Sequence, residues 1–251
     1  MTTSTDKTLT RRRTARYAVQ AARPTRVDPL RDYLEQLRNY PILSQEEETA
    51  LARQLQDTRR RMRRMLLANP YMLAGTTEIL SQVCQGQLRA DRTLETTVFD
   101  PAAYRAATRG LPQIVWRLNR VLARNRRDAA RLRDRTAPAV VWRPYARRVN
   151  FRTRAAATLA WEAKLRLNAV YPCLRQLSQI GRRVEFLARS LAESTARQPE
   201  LEAELAQLVE LTGVRPRRLS RWLSLVGVLM ARYEALKQRL ARHNLRLVVS
   251  I

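Results

Sequence analysis

The chain has 251 residues, 48 Lys+Arg against 22 Asp+Glu, and a formal net charge of +26. A pI near 11.6 makes nucleic acid or another polyanion the expected partner, and a hydrophobic fraction of 45% argues for a folded chain. Six Gly and 11 Pro exclude collagen-like and linker-like chains, two Cys without CxxC spacing and one His exclude a zinc finger, and no apolar run is long enough for a membrane span.

In chain order, residues 1–27 carry little apolar periodicity and read as a flexible basic arm. Asp28-Pro29 opens a helix as N-cap and first helical residue, and Leu30, Tyr33, Leu34 and Leu37 lie on one face of it. Asn39-Tyr40-Pro41 stops that helix. Ser44-Gln45-Glu46-Glu47 is a capping box, with Ser44 and Glu47 placed to satisfy each other's free backbone donors. Leu51, Leu55, Met62 and Met65/Leu66 carry this second helix to about Asn69, and Pro70 starts a third through Leu73, Ile79, Leu80 and Val83. Asp100-Pro101 caps another that ends at Gly110, and Ile114, Val115, Leu118, Val121 and Leu122 mark the next. Pro138 and Pro144 bracket a connector containing Val140, Val141 and Trp142. One long helical stretch from about Arg152 to Ala196 is expected to bend at Tyr171-Pro172. Pro199 starts an acidic helix that Gly213 stops, and Pro216 starts the last, striped by Leu219, Trp222, Leu223, Val226, Leu229, Met230, Tyr233, Leu236 and Leu240. No strand-like alternation appears, so the expected fold is all-α: an irregular helical bundle behind a disordered basic arm.

The charge is unevenly placed. Residues 28–57 hold three bases and seven acids, net −4, whereas residues 101–154 hold 15 Arg and two Asp, net +13. The cluster Arg59, Arg60, Arg61, Arg63, Arg64 reads either as a phosphate-facing patch or as a solvated helix face. In the basic middle, Arg124, Arg126 and Arg127 are the candidates for nonspecific phosphate contact. Site chemistry points away from an enzyme. His243 is the only His and stands on an Arg-rich helix, and no GxxxxGK[ST], GxGxxG or HExxH is present. Glu46, Glu47 and Glu48 are consecutive and so point different ways round a helix, which does not make a general acid–base pair. No cofactor, metal or small-molecule substrate is indicated.

Two segments are more specific. Asp28-Pro-Leu-Arg-Asp-Tyr-Leu-Glu-Gln-Leu, then Pro41-Ile-Leu-Ser-Gln-Glu-Glu-Glu, then Leu51-Ala-Arg resembles region 1.2 of the sigma-70 family of bacterial RNA polymerase initiation factors. Ala241-Arg-His-Asn-Leu-Arg-Leu-Val-Val-Ser-Ile251 resembles the opening of that family's region 2.1, and Leu211-Thr-Gly-Val-Arg-Pro-Arg-Arg-Leu resembles an element often found before it. The resemblance divides the chain into an arm (1–27), region 1.2-like helices (28–69), a helical non-conserved region (70–240) and the start of region 2.1 (241–251). It implies a non-catalytic cytoplasmic, nucleoid-associated protein. Its partners would be promoter DNA and the RNA polymerase core, met at the clamp helices of the largest subunit.

The resemblance also implies residue roles. Arg31, Tyr33 and Leu34 fall near the promoter strand just downstream of the −10 element, where an aromatic with a polar handle suits an unpaired strand. Tyr33 and Leu34 read equally as core against the second helix, and Arg31 as an ion-pair partner of Asp32 or Glu35. Glu35 stands where the family commonly has a base, so no base preference is carried over. Glu48 matches the third acid of a Glu-Glu-Glu motif that lines a pocket for a flipped base; the plain alternative is a solvated first-turn acid. Asn244 matches a residue close to the −10 strand, and Leu245 and Val248 match positions that help dock the clamp helices. The chain stops at Ile251 in mid-pattern, so a fragment or truncated copy is expected. The alternative to a sigma factor is a sequence-neutral, basic, helical nucleic-acid-binding protein.

Overall fold

A computed structural model of the chain describes residues 43–95, 100–131, 139–194 and 198–249, without the side chains at 103, 129–131, 139–142 and 245–249. The basic arm, the helix expected from Asp28 and the residues Arg31, Tyr33 and Leu34 lie outside the described residues. Among those described, the structure is helical apart from turns and one isolated β-bridge. Leu43–Ala241 forms one compact unit.

Ser44 opens α1, Gln45–Leu67. Its hydroxyl accepts from the Glu47 N–H at 3.2 Å and its own N–H donates to Glu47 Oε2 at 2.8 Å, completing the expected capping box. Helix α1 ends two residues earlier than Asn69 because Asn69 caps the next helix. Its Oδ1 accepts from the N–H groups of Tyr71 (3.0 Å) and Met72 (3.2 Å), and Pro70 takes the first helical position of α2, Pro70–Cys84. Helix α2 holds one charged residue, Glu78, and packs against helices on several sides. Met72, Leu73, Thr76 and Leu80 are fully buried. An element this apolar all round belongs at the centre of a bundle.

A short helix α3, Ala90–Thr93, precedes α4, Pro101–Arg109, which Asp100 opens by accepting from the Ala102 N–H at 3.0 Å. Helix α5, Leu111–Arg131, buries Leu111, Val115 and Leu118, in line with the expected stripe. Helix α6, Ala139–Glu162, corrects the connector expected between the two prolines. Residues 139–144 are helical, with Pro144 as the sixth residue, so its missing N–H removes only one hydrogen bond near the helix start.

The long stretch expected from Arg152 to Ala196 is two helices, and the break is not at Pro172. Lys164 takes a left-handed conformation (φ 49°), and the chain resumes as α7, Leu167–Glu193, with Pro172 again the sixth residue of its helix. The break has a physical cause. Around the Leu94–Leu165 bridge, the Glu95 N–H donates to the Lys164 carbonyl and the Arg166 N–H to the Thr93 carbonyl, both at 2.8 Å. Residues 164–166 leave helical geometry to make these bonds. Gly213 (φ 66°) closes α8, Pro199–Thr212, as expected, and an added Cβ there would lie 3.4 Å from Pro70. Helix α9, Pro216–Val249, turns Leu219 and Val226 into the core and donates from Trp222 Nε1 to the Met65 carbonyl at 3.3 Å, in the last turn of α1.

Arg63 joins several of these pieces. Its guanidinium and that of Arg59 both hydrogen-bond Glu95 Oε1. Arg63 also donates to the Leu165 carbonyl at 2.8 Å and lies 4.9 Å from the centre of the Trp161 ring. Its side chain is only 11% exposed. Removing one partner of such a pair leaves charge buried and uncompensated. Glu95→Ala is therefore expected to lower the unfolding free energy by about 2 to 3 kcal/mol, and Arg60→Ala, on an exposed arginine 3.9 Å from Asp57, by no more than about 0.5 kcal/mol. Urea denaturation of the two variants compares them directly.

Candidate nucleic-acid interface

The first turn of α1 carries Glu46, Glu47 and Glu48 at the positive end of the helix dipole. They are not equivalent. Glu47 is committed to the cap, and Glu48 is half-buried with its N–H donating to the Ser44 carbonyl at 2.9 Å. The Glu48 carboxylate has no hydrogen-bond or ion-pair partner among the described residues. At the other end of the chain, Asn244 is exposed on α9, whereas His243 beside it is buried. Leu245 and Val248 continue that helix, and their side chains lie outside the described residues.

The arginines of α1 divide by function. Arg59 and Arg63 both pair with Glu95, and neither reading of the cluster, phosphate patch or solvated face, fits the nearly buried Arg63, whereas Arg59 keeps 41% of its side chain exposed. Arg60, Arg61 and Arg64 face solvent. Sequence reasoning missed the distinction because Glu95 is 32 residues from Arg63 and no local pattern links them.

Helices α5 and α6 hold the denser basic surface. They are joined by an ion pair from Arg152 to the buried Asp128 (2.7 Å) and by a hydrogen bond from Asn125 to Thr153 (3.1 Å). The order of these contacts makes the helices antiparallel. Asp128 is spent on Arg152. Arg124, Arg126 and Arg127 are all exposed, as are Arg117, Arg143, Arg147 and Arg154, and none has a carboxylate within ion-pair distance among the described residues.

The spacing arranges them. Trp116, Arg120, Arg124 and Arg127 stand at i, i+4, i+8 and i+11 on α5, one row on its solvent face. Arg143, Arg147, Phe151 and Arg154 repeat that spacing on α6. Arg126 lies off the first row, about 100° round the helix from Arg127. Trp116 is 59% exposed with Arg120 at 5.2 Å from its ring centre, and Phe151 is 74% exposed. The α6 row escaped sequence reasoning because the helix was expected only from about Arg152, which left Arg143, Arg147 and Phe151 outside it.

Other chemistry is sparse. Cys84 and Cys173 are free, and burial pushes both thiols above their ordinary pKa, away from reactive thiolate. No group of His, Cys, Asp and Glu among the described residues is placed to hold a metal ion, and no described helix is long and apolar enough to cross a membrane.

Residues 28–61 match the family model for sigma-70 factor, region 1.2. The chain carries sigma-70 region 1.2. The match ends within α1, so the Ser44 cap and the acidic first turn lie inside it and Arg63 lies just beyond. No curated protein matches the chain.

Replacing Arg124, Arg126 and Arg127 by Gln is expected to weaken duplex DNA binding by the chain and to flatten the plot of log affinity against log salt, by up to about 0.9 for each phosphate no longer neutralised. Titrations at several salt concentrations read both. An unchanged slope assigns these three arginines to solvent alone.

Proposed function

We propose that the chain acts as the N-terminal portion of a sigma factor, binding the RNA polymerase core and promoter DNA in the bacterial cytoplasm, at the nucleoid, without catalysing a reaction. The observation that carries this reading is the region 1.2 match over residues 28–61. The likeness of 241–251 to the start of region 2.1, in family order, supports it. In this reading the segments divide as an arm to residue 27, region 1.2 helices to 69, a helical non-conserved body to 240, and region 2.1 from 241.

Arg31, Tyr33 and Leu34 meet the promoter strand downstream of the −10 element, with Tyr33 stacking or touching sugar. Glu48 accepts from the amino or imino group of an unpaired base. Its open carboxylate on a capped, fixed first turn suits that task. Asn244 lies beside the same strand, and Leu245 and Val248 seat against the clamp helices of the largest subunit.

The arginine rows of α5 and α6 favour a second reading, a helical protein that binds any nucleic acid through charge. Core polymerase separates the two. Immobilised chain is expected to retain bacterial core polymerase, and the double change Leu245→Asp, Val248→Asp to abolish retention while leaving the circular dichroism spectrum intact. Salt-sensitive DNA binding with no retention of core would favour the second reading.

A further inference from the structure

A row of arginines accounts for attraction to phosphate but not for large aromatic rings in water beside it. Each row contains one. Trp116 begins the α5 row and Phe151 stands third in the α6 row, both more than half exposed. Neither ring is needed by the core, which α5 makes with Leu111, Val115 and Leu118 and α6 with Ala156 and Ala160. A closed duplex offers such rings no stacking partner, because its bases already stack on each other; an unpaired strand exposes base faces. Successive row positions rise about 6 Å per four residues, so cations and ring alternate along a line on each helix. Arg120 lies against the Trp116 ring at 5.2 Å, which places a phosphate-binding group beside a stacking group.

We propose that the α5–α6 pair is a sequence-independent binding face for single-stranded nucleic acid, on which Trp116 and Phe151 stack unpaired bases while the flanking arginines hold the backbone. The face needs no contact with polymerase and does not rest on the sigma reading. Its sequence tolerance follows from the chemistry: every base has a stacking face, and guanidinium groups read phosphate rather than base identity.

The test uses the full chain and a labelled mixed-sequence strand of about 20 nucleotides, longer than the roughly 4–16 that a single-strand site spans, alone and annealed to its complement. Fluorescence anisotropy is expected to give tighter binding to the single strand than to the duplex. Trp116→Ala and Phe151→Ala are each expected to weaken single-strand binding roughly 5- to 100-fold and to leave duplex binding within about twofold. Arg124→Gln with Arg147→Gln is expected to weaken both. Because the rings are exposed, the thermal melts of the two aromatic variants are expected to match the parent. Trp116→Leu and Phe151→Leu, which keep apolar bulk without a ring, are expected to bind as poorly as the alanine variants. Single-strand affinity unchanged in both alanine variants, or a duplex bound more tightly than the strand, would overturn the proposal. Retention of core polymerase is a separate measurement, so failure of the sigma reading leaves this result intact.

Discussion

Glu95 is the acid on which the arrangement of the described helices turns. It stands on a short paired stretch, residues 93–95 against 164–166, and receives two guanidinium groups from α1. One of them, Arg63, is nearly buried and also reaches the Leu165 carbonyl and the Trp161 ring. The same few atoms therefore tie the C-terminal half of α1 to the place where α6 gives way to α7. Taking the guanidinium out of water carries a large desolvation cost that only the carboxylate, the carbonyl and the ring together offset. The geometry is correspondingly specific: shifting the 164–166 break would move the carbonyl away from Arg63.

The same use of a scarce acid recurs elsewhere in this strongly positive chain. Its arginines are not a uniform coat. Arg59 and Arg63 are structural, Arg152 holds α5 to α6 through Asp128, and Arg183 grips Glu204 with two hydrogen bonds of 2.7 Å. With these acids taken up, the rows on α5 and α6 have no ion-pair partner among the described residues. Repulsion along those rows disfavours the folded state, and a bound polyanion relieves it. Which arginines are tied into the fold and which are left exposed depends on where the few acids fall.

Much of the fold was legible in the sequence wherever local chemistry decides. The Ser44–Glu47 capping box, Pro70, Asp100, Pro199, Gly213 and the stripe from Leu219 all act within a few residues of themselves and all stand where the pattern puts them. Failures came where distant contacts decide. Pro144 and Pro172 read as breakers, yet each is the sixth residue of its helix, where one missing hydrogen bond is tolerated. The true break at Lys164 has no Gly or Pro to announce it and exists because residues 93–95 pair there. The site divides the same way. The region 1.2 pattern was readable as a motif, and the basic middle as a composition. The α6 row of ring and arginines became visible only once 139–162 was one helix.

Placing region 1.2 on a promoter is the central claim, and position-resolved crosslinking tests it most directly. A photoreactive amino acid at Tyr33 of the full chain, bound with bacterial core polymerase to a promoter held open as a bubble, is predicted to crosslink to the strand just downstream of the −10 element. Crosslinks scattered along the DNA without positional preference, and unchanged when core polymerase is left out, would contradict it.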